Sequence, residues 1–427
     1  MKQFKFVKAM AAVAALTMAL AGCGSGDSNG ADVEEAPVTT IDKDVEITFW
    51  HAMTGAQQTT LQQLTDEFMK ANPKIKVTLQ NQSSYGDLQQ KLTATMQSPK
   101  NLPTITQAYP GWLAQAFEDG TVVPLDNYIK SSDKNLAFDN WDDVLSGLRE
   151  GVTFDGKILG MPFNKSTEVL WYNKTLFDKL GLKAPTSYDE LVAASQKIKQ
   201  SENIPGIGFD SLSNFYITYL KNNGTEFNES LDVSGKASQD AFNWYGQGVK
   251  DGTMRIAGTD KYMSGPFGSQ KVGMYIGSNA GESFVKQGAA GKFEYGVAPY
   301  PAKYSLQQGT DIYMFDSATP EQRTAAFMYE KFLTSKDSQI TWAVATGYMP
   351  VRTSAIQDEK YTKSGSSIAP ILADATKNLF TAPLSAASQQ AVDDTDSALE
   401  GYLANPSQNL TDVLSRYKAT FDSDVKQ

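Results

Sequence analysis

Apolar residues along this chain alternate between two spacings. Residues 45–50 (VEITFW) and 72–80 (NPKIKVTLQ) have the short apolar pattern of strands, whereas apolar side chains in 56–71 recur every three or four positions, as on one face of a helix. Strand-like and helical segments continue to alternate up to Gly120. This alternation predicts a mainly parallel sheet whose faces are covered by the connecting helices.

The same alternation begins again after residue 160. Four strand-like segments (STEVLWYNK, IPGIGFD, KVGMYIGSN and YGVAPYP) alternate with the helical pattern SYDELVAASQKIKQ and with a second helix through Trp244. From about residue 320 onward the pattern is mostly helical. The restart predicts two α/β units within one chain.

The first 22 residues follow a different pattern. Lys2, Lys5 and Lys8 precede an apolar run that is too short to cross a bilayer comfortably, and this run leads into Cys23, the only cysteine. The sequence LAGC is similar to a bacterial lipobox, in which the signal is removed and the cysteine then carries lipid. We therefore expect a lipoprotein signal peptide at 1–22.

Residues 23–43 are rich in small and polar side chains, too polar to bury a cysteine. They predict a flexible tether that holds the folded part at the extracellular face of the cell membrane, through a lipid anchor on Cys23. A lone cysteine also excludes an intramolecular disulfide and a zinc site built from cysteines.

Charge limits the kinds of partner. The chain has 48 acidic and 38 basic residues, a net charge of −10, and its first 22 residues contain three lysines and no acid, so the remainder carries −13. Phosphate backbones repel such a surface, and no cluster of Lys or Arg counteracts the repulsion. We expect no nucleic-acid partner.

Several motifs resemble those of one family. They are ITFWHAMTGAQ, FMKANPKIKV, MPFNKSTEVLWYNKTLFDKLGL, FEYGVAPYP and TGYMPVRTSA. On these motifs the whole chain after the tether resembles the extracellular solute-binding proteins of ABC importers, in the branch that serves oligosaccharides and glycerol phosphates. The resemblance implies an α/β, two-lobed fold of the periplasmic-binding-protein type II class, with a hinge and a ligand cleft between the lobes. It also implies a monomer that delivers its ligand to the permease subunits of an ABC transporter and uses no cofactor.

The family pattern also implies how the chain is divided. Lobe 1 would comprise 44–160 and 301–345, and lobe 2 would comprise 161–300 and 346–427. Three segments would cross between the lobes, near 160–164, 298–301 and 334–348.

The sequence contains few features that indicate an enzyme. The single histidine, His51, is the only possible base for a serine triad, and we expect it to be a packed residue at a strand end. No nucleophile elbow, phosphate loop or zinc-protease motif is present, and we expect no metal site. A carboxylate pair for glycoside hydrolysis stays open, because the chain has many acids and none stands out as a pair. A surface glycoside hydrolase and an extracellular sensor are therefore the alternatives from other classes.

Candidate ligand residues follow mostly from the resemblance. Matching the family's motifs gives Tyr85, Ser166, Ser278 with its neighbour Asn279, Gly309 followed by Asp311, and Tyr348. Asp210 is added because negative charge in the cleft suits a neutral, hydroxyl-rich ligand. Trp112 is added from chemistry, since an aromatic face that follows a strand end can cover the apolar side of a sugar ring. Trp50, Trp171 and Tyr216 are further aromatic candidates, although either Trp171 or its neighbour Tyr172 must face the core.

Two departures from the family pattern bear on the substrate. Where glycerol-phosphate binders have an acidic residue, this chain has Pro110, and no arginine occurs between Arg352 and Arg416 to clamp a phosphate. Lys165 or Lys377 would replace it only as a point charge. We therefore expect a neutral sugar or oligosaccharide, and keep glycerol-3-phosphate or a glycerophosphodiester as the alternative.

Overall fold

The architecture was analysed in a computed structural model that describes residues 36–382 and 386–424. The strands are β1 (Val45–His51), β2 (Ile75–Asn81), β3 (Ile105–Ala108), β4 (Thr153–Phe154), β5 (Lys157–Ile158), β6 (Gly160–Asn173), β7 (Ile207–Phe209), β8 (Met254–Ile256), β9 (Met274–Ser278), β10 (Tyr295–Pro299), β11 (Ser305–Met314) and β12 (Leu379–Phe380). Residues 1–35, which include the predicted signal peptide and Cys23, lie outside the described residues.

Helices occupy most of the remaining described chain. They are α1 (Gly55–Ala71), α2 (Tyr85–Met96), α3 (Ala114–Glu118), α4 (Asp126–Ile129), α5 (Ser146–Glu150), α6 (Lys174–Leu180), α7 (Tyr188–Glu202), α8 (Leu212–Asn222), α9 (Lys236–Lys250), α10 (Ser264–Gly268), α11 (Glu282–Ala289), α12 (Pro320–Leu333), α13 (Lys336–Thr346), α14 (Thr353–Ile356), α15 (Glu359–Thr362), α16 (Leu372–Ala375), α17 (Ala386–Ala404) and α18 (Leu410–Asp424).

Among the described residues, ten strands join into one sheet. Eight of them form the order β2-β1-β3-β11-β6-β9-β7-β8, while β10 pairs with β6 and β12 with β11. The pairs β1–β2, β1–β3, β7–β8 and β7–β9 are parallel, whereas β11 and β6 run antiparallel to each other and to their other neighbours in the order. The predicted α/β class with mainly parallel strands is confirmed, with antiparallel pairs at the centre.

Two strands run through both halves of this sheet. We call lobe 1 the half built on β1–β3 and lobe 2 the half built on β7–β10; β6 and β11 belong to both. The sequence predicts the strand at STEVLWYNK, but β6 begins six residues earlier and is almost entirely buried over its 14 residues. The second crossing is β11 rather than 298–301, because that stretch begins in the last two residues of β10, which pairs with the lobe 2 end of β6.

Each lobe has its own apolar core. In lobe 1, α12 packs on β1, and Phe49, Leu61 and Phe327 are fully buried. In lobe 2, α17 packs on α8 and α9, so that the end of the chain returns to cover this lobe. The predicted limits of the two lobes in the sequence stay a prediction.

Gly309 lies where β11 crosses between the lobes. Its φ of +87° is in the left-handed region, and a Cβ at this position would lie 2.0 Å from the backbone oxygen of Asn164 in β6. Only glycine meets both demands without moving the backbone. The residue therefore allows β6 and β11 to approach closely at the crossing.

Candidate functional site

A cavity of about 260 Å³ lies between the two lobes. Lobe 1 contributes the turn after β3, with Tyr109 and Trp112, and lobe 2 contributes α8 and α17, with Asn214 and Asp396. The crossing strands supply the floor, which includes Gly309. The site thus lies at the carboxyl end of β3, where an open α/β sheet presents its ligands.

Three predicted residues line this cavity directly: Trp112, Gly309 and Asp311. Two more lie beside them. Tyr85 contacts the ring of Trp112, with 6.1 Å between ring centroids, and its hydroxyl is 3.2 Å from that of Tyr348. Five predicted residues are therefore brought into one region, although they come from positions 85 to 348 of the sequence.

The hydroxyl of Tyr85 belongs to a buried polar network. The side-chain amide of Asn164 donates to it at 3.3 Å, and the hydroxyl of Thr310 donates to the side-chain oxygen Oδ1 of Asn164 at 2.7 Å. The amide of Gln107 donates in turn to Thr310 at 2.9 Å. Ser84 caps the start of α2 by accepting from the backbone nitrogen of Asp87, which fixes Tyr85 in the first turn. The phenol is thus held by neighbours on three strands.

Lys165 and Asp311 form an ion pair at the cavity wall. The ammonium lies 3.0 Å from both carboxylate oxygens and 3.2 Å from the carbonyl oxygen of Gly309, and both side chains are at most 5% exposed. Burial raises the pKa of Asp311, and the charge of Lys165 opposes that rise. Because a lysine has three protons to donate, these three acceptors occupy its hydrogen-bonding capacity.

The other four predicted residues serve neighbouring groups. Ser166 is buried in β6, opposite Gln308 of β11. Ser278 accepts a hydrogen bond from the backbone nitrogen of Ala280, and so caps the short turn after β9. Neither residue lines the cavity. Their assignment as ligand residues stays a prediction.

Asn279 and Asp210 each bind backbone. The amide oxygen of Asn279 accepts from the nitrogen of Thr167 at 2.7 Å, and its amide nitrogen donates to the carbonyl of Gly347. Asn279 thereby ties β6 to the turn that precedes Tyr348. Asp210 accepts from the backbone nitrogen of Met263 at 2.6 Å and lies outside the cavity lining.

Two neighbouring carboxyl groups, those of Glu168 and Asp210, lie in lobe 2. Glu168 is fully buried, and neither of its oxygens has hydrogen-bond geometry with a partner, although Asn214 favours its charged form. Burial, with a contribution from the charge of Asp210, raises the pKa of Glu168 to about 8. Burial also raises the pKa of the half-buried Asp210 to about 7. Unlike Asp311, these two carboxyls have no basic partner among the described residues.

Several other candidates are core residues. His51 is 1% exposed, and burial lowers its pKa to about 4, so that the packed role expected for it is the one observed. Trp50 and Tyr216 are wrong as sugar-stacking candidates, because Trp50 packs in the core with its ring nitrogen bound to Gln80 and Tyr216 is fully buried. Trp171 is fully buried while Tyr172 is partly exposed, as the strand alternation required.

Some residues that line the cavity were not predicted from the sequence. Tyr109 lies three positions before Trp112 and carried the same signal, an aromatic residue directly after a strand. Asp393 and Asp396 carried no signal, since they lie in α17 and reach the cavity only through tertiary packing. Asp396 accepts from both the nitrogen and the hydroxyl of Ser213, which docks α17 on α8.

The described part of the chain contains neither a candidate metal centre nor a candidate membrane span. No group of three or more His, Cys, Asp or Glu side chains there has an arrangement suited to a metal ion. No helix within those residues is long and apolar enough to cross a bilayer.

The family model of the bacterial extracellular solute-binding proteins matches residues 63–367. The chain belongs to this family. As predicted from the motifs, it is a solute-binding protein of the ABC importer class and not an enzyme. The two-lobed fold with its interlobe cleft agrees with that assignment.

Relatives in sequence are described as binders of glycerol phosphate. The sn-glycerol-3-phosphate-binding periplasmic protein UgpB of Brucella melitensis is 26% identical over 359 residues, which cover 77% of this chain and 80% of that protein. UgpB of Salmonella typhimurium is 26% identical over 341 residues, covering 73% and 75% of the two chains.

Solved structures of similar fold contain several kinds of ligand. The GacH receptor of Streptomyces glaucescens, solved with acarbose, superposes with a TM-score of 0.78 at 22% identity, covering 90% of this chain and 98% of that one. Maltose-bound MalE3 of T. maritima has a TM-score of 0.78 at 20% identity, over 88% and 99% of the chains. UgpB of Mycobacterium tuberculosis with glycerophosphocholine has a TM-score of 0.79 at 18% identity, over 90% and 98%. At these identities the superpositions establish the fold.

Proposed function

We propose that this protein captures an uncharged carbohydrate in the cavity between its lobes and delivers it to the permease of an ABC importer. The observation that carries the choice of ligand is the state of Lys165. Among the described residues it is the only basic one that lines the cavity, and its ammonium is already bound to Asp311 and Gly309. A phosphate entering the cavity would meet no free cation among the described residues of its walls.

The rest of the lining suits a sugar. Gln89, Asn214 and Gln307 offer planar amides that both donate and accept, as neighbouring hydroxyl groups require. Tyr109 and Trp112 offer aromatic faces to the C–H side of a ring. This combination of amides and rings is typical of pockets for small hydroxylated ligands.

Arg352 does not supply a phosphate clamp. It is 1% exposed, and its guanidinium binds the carbonyl of Thr334 and the side chains of Asp139 and Asp143. Leaving these buried partners would cost several hydrogen bonds to charged groups. The arginine therefore serves as a fixed link to residues 139–143 of lobe 1.

Glycerol-3-phosphate or a glycerophosphodiester is the second candidate. It is favoured by the description of the sequence relatives as glycerol-phosphate binders. For such a ligand, Lys165 would have to exchange Asp311 for the phosphate, leaving a buried carboxylate without its cation. We rank it below the neutral sugar because of that cost.

We also propose that the protein works as a monomer, lipid-anchored through Cys23 to the extracellular face of the membrane. The sequence of 1–22 and the lipobox-like LAGC support the anchor. Replacement of Cys23 by Ala should abolish incorporation of a labelled fatty acid, while a neighbouring Ser25→Ala variant retains it. Equal labelling of both variants would contradict the anchor.

The ligand class is tested by thermal denaturation with a panel of mono- and oligosaccharides, glycerol-3-phosphate and glycerophosphodiesters. A ligand at 100 times its dissociation constant stabilises the fold by about 2.7 kcal/mol, so a true ligand raises the melting temperature measurably. We expect a neutral sugar to do so and the phosphates not to. A shift with the phosphates alone would favour the second candidate.

A variant localises the binding event. Tyr348→Ala removes one of the hydrogen-bond partners of the Tyr85 hydroxyl beside the cavity, and we expect the affinity for the sugar to fall about ten-fold or more. Tyr304→Ala changes a tyrosine away from the cavity lining and serves as the matched control. Equal calorimetric affinities of the two variants would place the site elsewhere.

A further inference from the structure

Three aromatic rings form a corner at the lobe 1 side of the cavity. The ring centroids of Tyr85 and Tyr109 are 5.6 Å apart, those of Tyr109 and Trp112 are 5.1 Å apart, and those of Tyr85 and Trp112 are 6.1 Å apart. The interplanar angles are 59°, 65° and 65°. Each ring is inclined to the other two, and all three are half-buried. The corner is thus a cluster of mutually inclined rings, and two of its members, Tyr109 and Trp112, line the cavity.

Inclined aromatic rings of this kind preferentially bind a positively charged group. The face of an aromatic ring is electron-rich and attracts a cation within about 6 Å of the ring centre, and cages of several rings are used to hold ammonium groups. Within the described chain, no lysine or arginine lies over any of the three rings; the cation–ring contact nearest in sequence is Lys91 over Trp50. The corner therefore has no internal cation.

The charge of the cavity also favours a positively charged group. The described part of its lining contains three carboxylates, Asp311, Asp393 and Asp396, and a single base, Lys165. Since Lys165 is paired with Asp311, no base among these described lining residues balances the charges of Asp393 and Asp396. Burial raises the pKa of the Tyr109 phenol, and the nearby charge of Asp311 adds to that rise. A positively charged group in the cavity would meet both electron-rich rings and net negative charge.

We propose that Tyr85, Tyr109 and Trp112 form a subsite for a positively charged substituent, an ammonium or quaternary ammonium group, on the hydroxylated ligand. The inference rests on the proposed function for the location of the ligand, and it extends the ligand class from uncharged carbohydrates to amino sugars and other polyols with one cationic group. The hydroxyl groups bind the amides of the cavity, and the cation occupies the corner.

The first test uses a matched pair of small probes. Choline and 3,3-dimethylbutan-1-ol have the same shape, but only choline is charged. By isothermal titration calorimetry with the whole chain, we expect choline to bind at least about ten-fold more tightly than the alcohol. Equal affinities, or no measurable heat from choline, would overturn the subsite.

The second test uses variants of one ring. Trp112→Leu should weaken choline binding about ten-fold. Trp112→Phe keeps an aromatic face and should weaken choline binding less. Trp244→Leu, which changes a tryptophan packed against the lobe 2 core, is the control. Melting temperatures show whether each variant remains folded. Equal losses with Leu and Phe at position 112 would mean that ring electrostatics play no part.

The outcome is separable from that of the sugar panel. If a neutral sugar binds and choline does not, the subsite is wrong and the proposed function stands. If choline binds and no carbohydrate or amino sugar does, the proposed function fails and the subsite stands. Glucosamine, compared with glucose and N-acetylglucosamine, tests the two together, and we expect the free amine to bind most tightly.

Discussion

Two buried carboxyl groups on the crossing strands have opposite surroundings. Asp311 in β11 lies 3.0 Å from the ammonium of Lys165, whereas Glu168 in β6 is fully buried beside Asp210 and pairs with no base in the described part of the chain. The first group is neutralised by its partner and the second by holding a proton, because a lone charge in an apolar interior is too costly. The same sheet thus contains one carboxyl whose neutralisation depends on a residue and another whose neutralisation depends on pH.

The largest effect is expected from removing the base. Lys165→Met leaves Asp311 buried without a cation, and we expect the free energy of unfolding to fall by about 3–5 kcal/mol. Denaturant titration measures this change. The matched control is Lys76→Met, which breaks the ion pair with Glu46 on the surface and should leave the stability nearly unchanged. Similar losses in both variants would show that burial does not distinguish the two ion pairs.

A smaller effect is expected from pH. Glu168 releases its proton near its ordinary pKa of 4.5 when unfolded and near pH 8 when folded, so the folded state binds the extra proton between these values. Stability contributed by this group therefore falls as the pH rises through that window. His51 has a pKa of about 4 in the fold and 6.5 when unfolded, so the stability it contributes rises with pH between these values. To avoid this opposing effect, the measurement should run from pH 6.5 to 9.

Over that range we expect the parent protein to lose about 2 kcal/mol through Glu168. Glu168→Gln removes the titrating group, so its unfolding free energy should change less between pH 6.5 and 9. Glu190→Gln, on the surface of α7, should keep the slope of the parent. Identical slopes in the parent and Glu168→Gln would mean that Glu168 does not hold a proton in the fold.

The smallest effect concerns the neighbour of Glu168. The charge of Asp210 contributes to the raised pKa of Glu168, so Asp210→Asn should move the midpoint of the pH dependence to lower pH. An asparagine at 210 keeps an oxygen that can accept from the nitrogen of Met263. Stability measured against pH in this variant, beside Glu168→Gln, separates the two carboxyls. An unmoved midpoint would show that the two groups titrate independently.

Much of the fold was predictable from spacing. The strand and helix periods gave β1, α1 and β2 within a few residues and the two α/β units, because each is specified by local apolar patterns. The extent of β6 was missed since a strand buried on both faces has no alternation to mark its start. Its antiparallel pairing with β11 depends on residues about 145 positions apart, which spacing does not encode.

The site was predictable to a smaller extent. Trp112 followed from chemistry at a strand end, and Asp311 and Tyr348 followed from family motifs. Asn279 and Ser278 matched motifs as well, but the residue type alone does not show whether a serine or an amide side chain binds the backbone or the ligand. Asp393 and Asp396 required knowing where α17 packs. Sequence therefore located the cleft more reliably than it separated groups that face it from groups that support it.

The close crossing at Gly309 has a consequence for the energetics of capture. Because β6 and β11 pass between the lobes as hydrogen-bonded strands, the backbone that joins the lobes is already ordered before any ligand arrives. Rotation of one lobe against the other then bends this pair of hydrogen-bonded strands. Less conformational entropy is lost on binding than if a flexible linker had to become ordered. More of the contact energy remains available as affinity.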